Sequence, residues 1–325
     1  MKRRELLKMI AAVCASWPAS LQAQPAPLPE VGFLYAGNSA AGVPRAAAFL
    51  EGLRSKGYVD GRNMTLVARN AESKSDRFEL LAKELVARNV RVLFASGPAV
   101  VRYAHAASDT IPIVAMDLES DPVKDRLVAS IAHPGGNLTG LFFDFPEFSA
   151  KWLQLLREAV PGLSRLAVLW DPNTGSAQLD TLTAEAKSEG LSIEILEVKA
   201  PEEMEAAFQS ASAKKADSLL VLSSPLFGTN PKPVADLALK YKLPAITLFP
   251  EFAEVGGLMA YGTNLIDLFF QSGVLVGKVL DGAKPRDLPV ERPSRFQLVI
   301  NLRTAKALGL AIPTSLLLRA DQIIE

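Results

Sequence analysis

The feature that most constrains this chain is an alternation of short apolar runs with helical patterns, and it occurs twice. Residues 31–35, 64–68, 90–95, 111–115 and 138–143 read as strands. Expected helices over 44–56, 75–88, 99–107 and 123–132 lie between them. A helix over 148–159 restarts the pattern. Expected strands at 165–170, 192–198, 218–222 and 245–249 then alternate with helices over 176–189, 201–214 and 233–241. The two runs stand roughly 130 residues apart, as two similar lobes would. Strands as wholly apolar as Leu219–Leu220–Val221–Leu222 suit parallel sheets covered by helices on both faces. The expected fold is therefore α/β, with two doubly wound parallel-sheet lobes.

The end of the chain breaks the repeat. A strand at 258–261, a long helix over 266–280, an extended linker through residue 293, a strand at 296–300 and a short helix at 304–308 must add to one lobe or both. Chain segments that recross between lobes make a hinge of several crossovers. The expected division is 30–140 plus about 262–290 for the first lobe, and 141–261 plus about 291–325 for the second.

The first 23 residues differ from the rest. Lys2, Arg3 and Arg4 precede a short apolar run, and Trp17-Pro18 with Ala23 offers a break and a small residue for cleavage, the layout of a secretory signal. The run is too short to span a membrane. Arg3-Arg4-Glu5-Leu6-Leu7-Lys8 also resembles a twin-arginine signal, so both export routes stay open. Cys14 is the single cysteine, and Val13 before it argues against a lipid anchor. Cleavage after Ala23 leaves no thiol for a disulfide, a nucleophile or a metal. It also leaves 31 basic against 34 acidic residues, a balance that points to no nucleic-acid partner. A periplasmic protein that does not span the membrane is expected.

More specific motifs lie along the chain in order. Gly57-Tyr58-Val59-Asp60-Gly61-Arg62-Asn63 follows the first helix, and Ile111-Pro112-Ile113-Val114 leads to Asp121-Pro122-Val123. His133-Pro134-Gly135-Gly136-Asn137-Leu138-Thr139-Gly140 and Gly256-Gly257-Leu258-Met259-Ala260-Tyr261-Gly262 mark two crossovers. The tail carries Leu298-Val299-Ile300-Asn301-Leu302 and Thr304-Ala305-Lys306-Ala307-Leu308-Gly309. Together they resemble the ABC transporter substrate-binding family that includes tryptophan- and tyrosine-binding proteins. The resemblance covers essentially the whole chain after the leader. It implies a type I periplasmic-binding-protein fold, a small ligand between the lobes (an aromatic or branched amino acid, or a related organic solute) and an ABC transporter membrane permease as partner. It implies a monomer without a cofactor. Two departures stand out. Asp171-Pro172 occurs where the family often has Asn-Pro, and Leu268-Phe269-Phe270-Gln271 where arginine and tyrosine are frequent.

In open parallel sheets, ligands bind outside the carboxyl ends of the strands. The loops there supply the candidate residues. Tyr35, Gly37 and Asn38 follow the first strand; Ser96, Gly97 and Pro98 the third; Asp117 and Asp121 the fourth. Asp171 and Asn173 follow the first strand of the second lobe, and Ser224 and Phe227 its third. Ser96-Gly97 opens a helix and suits a ligand carboxylate, or is an ordinary cap and turn. Asp117, Asp121 and Asp171 suit an amino group, although for the last two, each beside a proline, the turn-and-cap reading is favoured. Tyr35, Phe227 and Tyr261 suit an apolar or aromatic ligand, or are core and rim.

Other classes find less support. The two histidines, His105 and His133, have no third ligand at a supporting spacing, so no metal site is expected. No G-x-S-x-G elbow, P-loop or G-x-G-x-x-G is present, which leaves an exported α/β hydrolase a remote alternative. A soluble sensor that hands its ligand to a membrane receptor stays open.

Overall fold

The computed structural model describes residues 27–143 and 145–325. The expected leader over 1–23, with Cys14, lies outside the described residues.

Strand β1 (Glu30–Tyr35) leads into helix α1 (Ser39–Ser55), followed by β2 (Thr65–Asn70), α2 (Phe78–Ala87), β3 (Val92–Ser96), α3 (Pro98–Ala107), β4 (Ile113–Asp117) and β5 (Leu138–Phe142). The five strands form one parallel sheet in the order β2-β1-β3-β4-β5. Every residue of β3, β4 and β5 is buried, as the unbroken apolar runs require of strands covered on both faces.

Helix α4 (Phe145–Ala159) crosses to a second sheet. There follow β6 (Arg165–Trp170), α5 (Ala177–Ser188), β7 (Ser192–Glu197), α6 (Met204–Ala213) and β8 (Ser218–Val221). The short helix α7 (Pro225–Gly228), α8 (Pro231–Lys240), β9 (Ala245–Thr247), α9 (Pro250–Glu254) and β10 (Met259–Gly262) come next. Strands β6 to β10 repeat the order of β1 to β5, as β7-β6-β8-β9-β10.

The chain then recrosses. Helix α10 (Leu265–Leu280) packs beside α1 and over β3, β4 and β5. The following segment runs along β5, where Glu291 N–H donates to Gly140 O (2.8 Å) and Phe142 N–H to Glu291 O (3.1 Å). Strand β11 (Gln297–Asn301) returns to the second sheet antiparallel to β10, helices α11 (Leu302–Ala307) and α12 (Thr314–Leu317) follow, and β12 (Gln322–Ile324) closes the edge.

Helices α1 and α10 approach backbone to backbone. A Cβ at Gly52 would stand 2.0 Å from Phe270 O, and one at Gly273 would stand 2.0 Å from Phe49 O. Below the pair lies an aromatic cluster in which Phe49 stacks on Phe94 (4.8 Å) and Phe33 meets Phe269 (6.1 Å).

One expected element is corrected: residues 123–132 are not a helix. Leu127 and Val128 both donate their N–H groups to Pro122 O, Arg126 takes φ +58°, and Ala129 N–H turns to Pro134 O. A left-handed residue after one turn stops helix propagation, although Val123, Leu127 and Ile131 have helical spacing. Helix α1 begins five residues before its expected start. Asn38 Oδ1 caps it by accepting from Ala41 N–H (2.9 Å).

Candidate functional site

The loops after β1 and β3 in the first sheet face those after β6 and β8 in the second. The two topological switch points therefore look at each other. Between them lies a cavity of about 330 Å³, lined on the apolar side by Tyr35, Met116, Leu118, Phe249, Leu265 and Phe269, and on the polar side by Arg45, Ser96, Glu119 and Ser224. A second cavity of about 300 Å³ adjoins it across Pro225 and is lined by Ala36, Phe78, Pro98, Asp171, Asn173 and Leu226.

Gly97 forms the waist between them. It has φ +108°, and a Cβ there would stand 3.0 Å from both Ala36 Cβ and Pro225 Cγ. A glycine is needed for the backbone angle and for the approach of the opposite lobe. Gly37 is equally confined: a Cβ would stand 2.5 Å from Thr229 Cγ2 and 2.6 Å from the Tyr35 hydroxyl.

Among the described residues, four side-chain hydrogen bonds cross the cleft. Asn38 Nδ2 donates to Thr229 O (3.3 Å), Arg45 Nη2 to Gly228 O (2.8 Å) and Arg102 Nη2 to Asn173 O (2.9 Å). In the other direction, Ser223 Oγ donates to Glu119 Oε1 (2.6 Å). Arg45 is 8% exposed, and its guanidinium lies 5.3 Å from the Tyr35 ring centre and 5.9 Å from that of Phe269. Burial lowers its pKa to about 10, against the attraction of Glu251. The buried Tyr35 hydroxyl has no hydrogen-bond partner among the described residues.

The acids of the site are buried. Asp117 Oδ1 accepts from the N–H groups of Glu119 (3.1 Å) and Ser120 (3.0 Å), and burial lifts its carboxyl to about 6. Burial, reinforced by the charge of Asp117, lifts Glu119 to about 8. Asp171 Oδ1 caps a turn by accepting from Asn173 N–H (2.9 Å), while Oδ2 accepts from Ser224 Oγ (2.7 Å). Burial raises Asp171 as well, and the Ser224 hydroxyl opposes the rise.

The sequence-derived candidates separate into three sets. Tyr35, Ser96, Gly97 and Ser224 line the first cavity; Pro98, Asp171 and Asn173 line the second. Gly37 and Asn38 lie at the seam against Thr229, and Asp117 is fully buried two residues before Glu119. The remaining three are elsewhere. Asp121 caps an exposed turn by accepting from Val123 and Lys124 N–H (3.0 Å each) and borders a separate groove. Phe227 is packed in the core of the second lobe. Tyr261 stands in a cluster with Phe148 (5.9 Å) and Phe296 (6.4 Å), its carbonyl accepting from Trp152 Nε1 (2.8 Å). Sequence reasoning missed Arg45, Glu119, Phe249 and Phe269. Glu119 lies within the loop after β4 and was findable there. Arg45 sits inside a helix, where nothing local marks it; Phe269 lies in the stretch Leu268-Phe269-Phe270-Gln271 that departs from the family pattern, but its helical position gave no sign that it faces the cleft.

Comparison with known proteins bears on this geometry. Residues 43–324 match the family model described as ABC transporter substrate binding protein. A tyrosine-binding protein of Clostridioides difficile (strain R20291) is 27% identical over 270 residues, which cover 81% of this chain and 75% of that protein. An ABC domain from Streptococcus pneumonia in complex with L-Trp superposes with a TM-score of 0.83 at 25% identity, over 91% of this chain and all of that one (100%). A ligand-free, open substrate-binding protein with adhesive properties from Clostridium difficile superposes with a TM-score of 0.63 at 24% identity, over 91% of this chain and 99% of that one.

Proposed function

The chain belongs to the family of ABC transporter substrate-binding proteins, and from that premise we propose that it closes on an amino acid between its two lobes and presents it to an ABC importer permease outside the cytoplasmic membrane. The family is one of binding proteins rather than enzymes, and the fold is the two-lobed type I periplasmic-binding-protein architecture. Among the described residues no helix is long and apolar enough to cross a membrane.

The observation that carries the proposal is the amphipathic cavity with hydrogen bonds crossing the cleft around it. Tyr35, Phe249 and Phe269 offer an aromatic wall, and Arg45 and Glu119 offer a guanidinium and a buried carboxyl. That combination suits an amino acid with an apolar or aromatic side chain. The relative that carries tyrosine in its name and the L-Trp complex support the same class. Closure is supported by the closer superposition on the L-Trp complex (0.83) than on the open, ligand-free protein (0.63). A ligand touching both lobes binds the closed form better and shifts the population toward it.

In this reading the first lobe comprises 30–140 with 262–290 and the second 141–261 with 291–325. Helix α10 over the first sheet and β11 and β12 in the second support the division. The leader exports the protein, and it works as a monomer.

A thermal-shift screen of the twenty amino acids, followed by calorimetry of each hit, tests the function. An aromatic or branched amino acid should bind near micromolar Kd, about −8 kcal/mol. Ser96→Ala combined with Asp171→Ala should weaken that hit at least about tenfold in a protein that remains folded. An unchanged Kd would remove both residues from the site.

A further inference from the structure

Three carboxylates stand in or directly behind the cleft without a cation. Asp117 is 0% exposed, and Glu119 and Asp171 are 4% each. Among the described residues no ion pair includes any of them. Nor does any cluster of three or more histidine, cysteine, aspartate or glutamate side chains among the described residues suit a metal ion. The acids sense each other, since the charges of Asp117 and Asp171 both act to raise Glu119.

Arg45 does not answer them. It spends a donor on Gly228 O, stacks over Tyr35 and Phe269, and has Glu251 as its electrostatic partner. Arg102 acts on Asp117, but behind burial and the hydrogen bonds of Asp117's own loop. Glu119 lines the first cavity and receives only neutral donors, Ser223 Oγ at Oε1 and Leu118 N–H (3.2 Å) at Oε2. Its neighbours Met116 and Leu118 are apolar. Burying carboxylates without a counter-charge is costly, and the group then holds a proton instead. A ligand carboxylate near Glu119 would add another negative charge to this cluster, whereas an ammonium would supply the missing positive one.

We propose that the cleft anchors its ligand through a protonated amine seated against Glu119, and that a carboxylate on the ligand is secondary. The ligand class is thereby apolar or aromatic ammonium compounds, amino acids among them, to the exclusion of organic acids that lack an amine. The proposal rests on the cleft being the ligand site and narrows what that site takes. Its proton balance is explicit. The empty cleft keeps Glu119 protonated near neutral pH, and the arriving ammonium releases that proton to solvent. The charges that act on Glu119 are those of Asp117 on its own loop and Asp171 from the second lobe; Arg45 on α1 lines the same cavity, and Arg102 on α3 acts on Asp117.

Calorimetry of the full chain with L-tyrosine, tyramine and 3-(4-hydroxyphenyl)propanoate tests this. Tyramine should bind within about tenfold of tyrosine, and the deaminated acid at least about a hundredfold more weakly. Glu119→Gln should weaken both amines at least about thirtyfold. Titrations in buffers of different ionisation enthalpy at pH 7 should show proton release with the native chain and none with Glu119→Gln. The proposal is overturned if the deaminated acid binds as tightly as tyrosine, if Glu119→Gln leaves the amines unaffected, or if no amine binds. Should tyramine bind while every amino acid fails, the amino-acid reading falls and the amine anchor stands. If Glu119→Gln does not fold, Glu119→Asp and the ligand series on the native chain decide.

Discussion

The two lobes share a strand order but bring different chemistry to the cleft. The first lobe reaches across with side chains: Asn38, Arg45 and Arg102 all donate over the seam. The second lobe receives them on main-chain carbonyls, those of Thr229, Gly228 and Asn173. Among the described residues only Ser223, donating to Glu119, reverses the direction. A carbonyl remains when its side chain changes. The seam should therefore be sensitive to substitution in the first lobe and tolerant in the second. The difference also shows where rigidity is needed. Arg45 and Phe269 stand on α1 and α10, the helix pair held in backbone contact at Gly52 and Gly273.

The largest expected effect is on that support. Gly273→Ala places a methyl 2.0 Å from Phe49 O, where no side chain can yield, and should cost about 3 kcal/mol or more. Urea denaturation measures it, and a loss below about 1 kcal/mol would show that the helices can separate freely.

Next is pH. The carboxyl of Glu119 is raised in the folded chain, from an ordinary 4.5 to about 8. Between those values the folded chain holds a proton that the unfolded chain has lost. Stability of the ligand-free protein should thus be fully present below about 4.5 and fall as pH rises to about 8, by at most about 1.4 kcal/mol per pH unit. Glu119→Gln should flatten that slope in melts across the range. A native profile that rises instead would place the carboxyl in a solvated or paired setting.

Arg45→Ala should come third. It removes a charge-assisted hydrogen bond and the ring stacking, about 1.5–3 kcal/mol of the closed form, and should enlarge the radius of gyration in solution scattering. Arg45→Lys should recover only part, because an ammonium lacks the planar fork.

The smallest effects belong to the second lobe. Thr229→Ala and Asn173→Ala keep their carbonyls, so each should change closure by less than about 1 kcal/mol. Either one matching Arg45→Ala would break the contrast between the lobes.

Much of this architecture is legible in the residues. The apolar runs at β3, β4 and β8 have few alternatives to buried parallel strands, and the repeat of strand and helix implies two doubly wound sheets. The loops at strand ends follow from that topology, which is why Tyr35, Ser96, Gly97, Asp171 and Ser224 were accessible to reasoning. The failures are equally physical. Residues 123–132 have a helical spacing of apolar side chains, yet a left-handed Arg126 and the pull of Pro122 O and Pro134 O fold them into turns. Phe227 follows β8, as a site residue should, but its ring turns into the core of its own lobe. Tyr261 closes β10 beside α4 and β11 rather than at the cleft.

By itself the sequence determined the lobes, the strands and the loops that face one another, because periodicity and turn chemistry act within ten or fifteen residues. The tertiary structure alone decided that Arg45 meets Gly228, 183 residues away, and that Glu119 meets Ser223, 104 residues away. Such pairs depend on how two finished lobes meet, and nothing in the local sequence around either partner encodes the other. The charge imbalance of the cleft belongs to the same level. From the second lobe Glu119 receives both the Ser223 hydroxyl and the repulsion of Asp171.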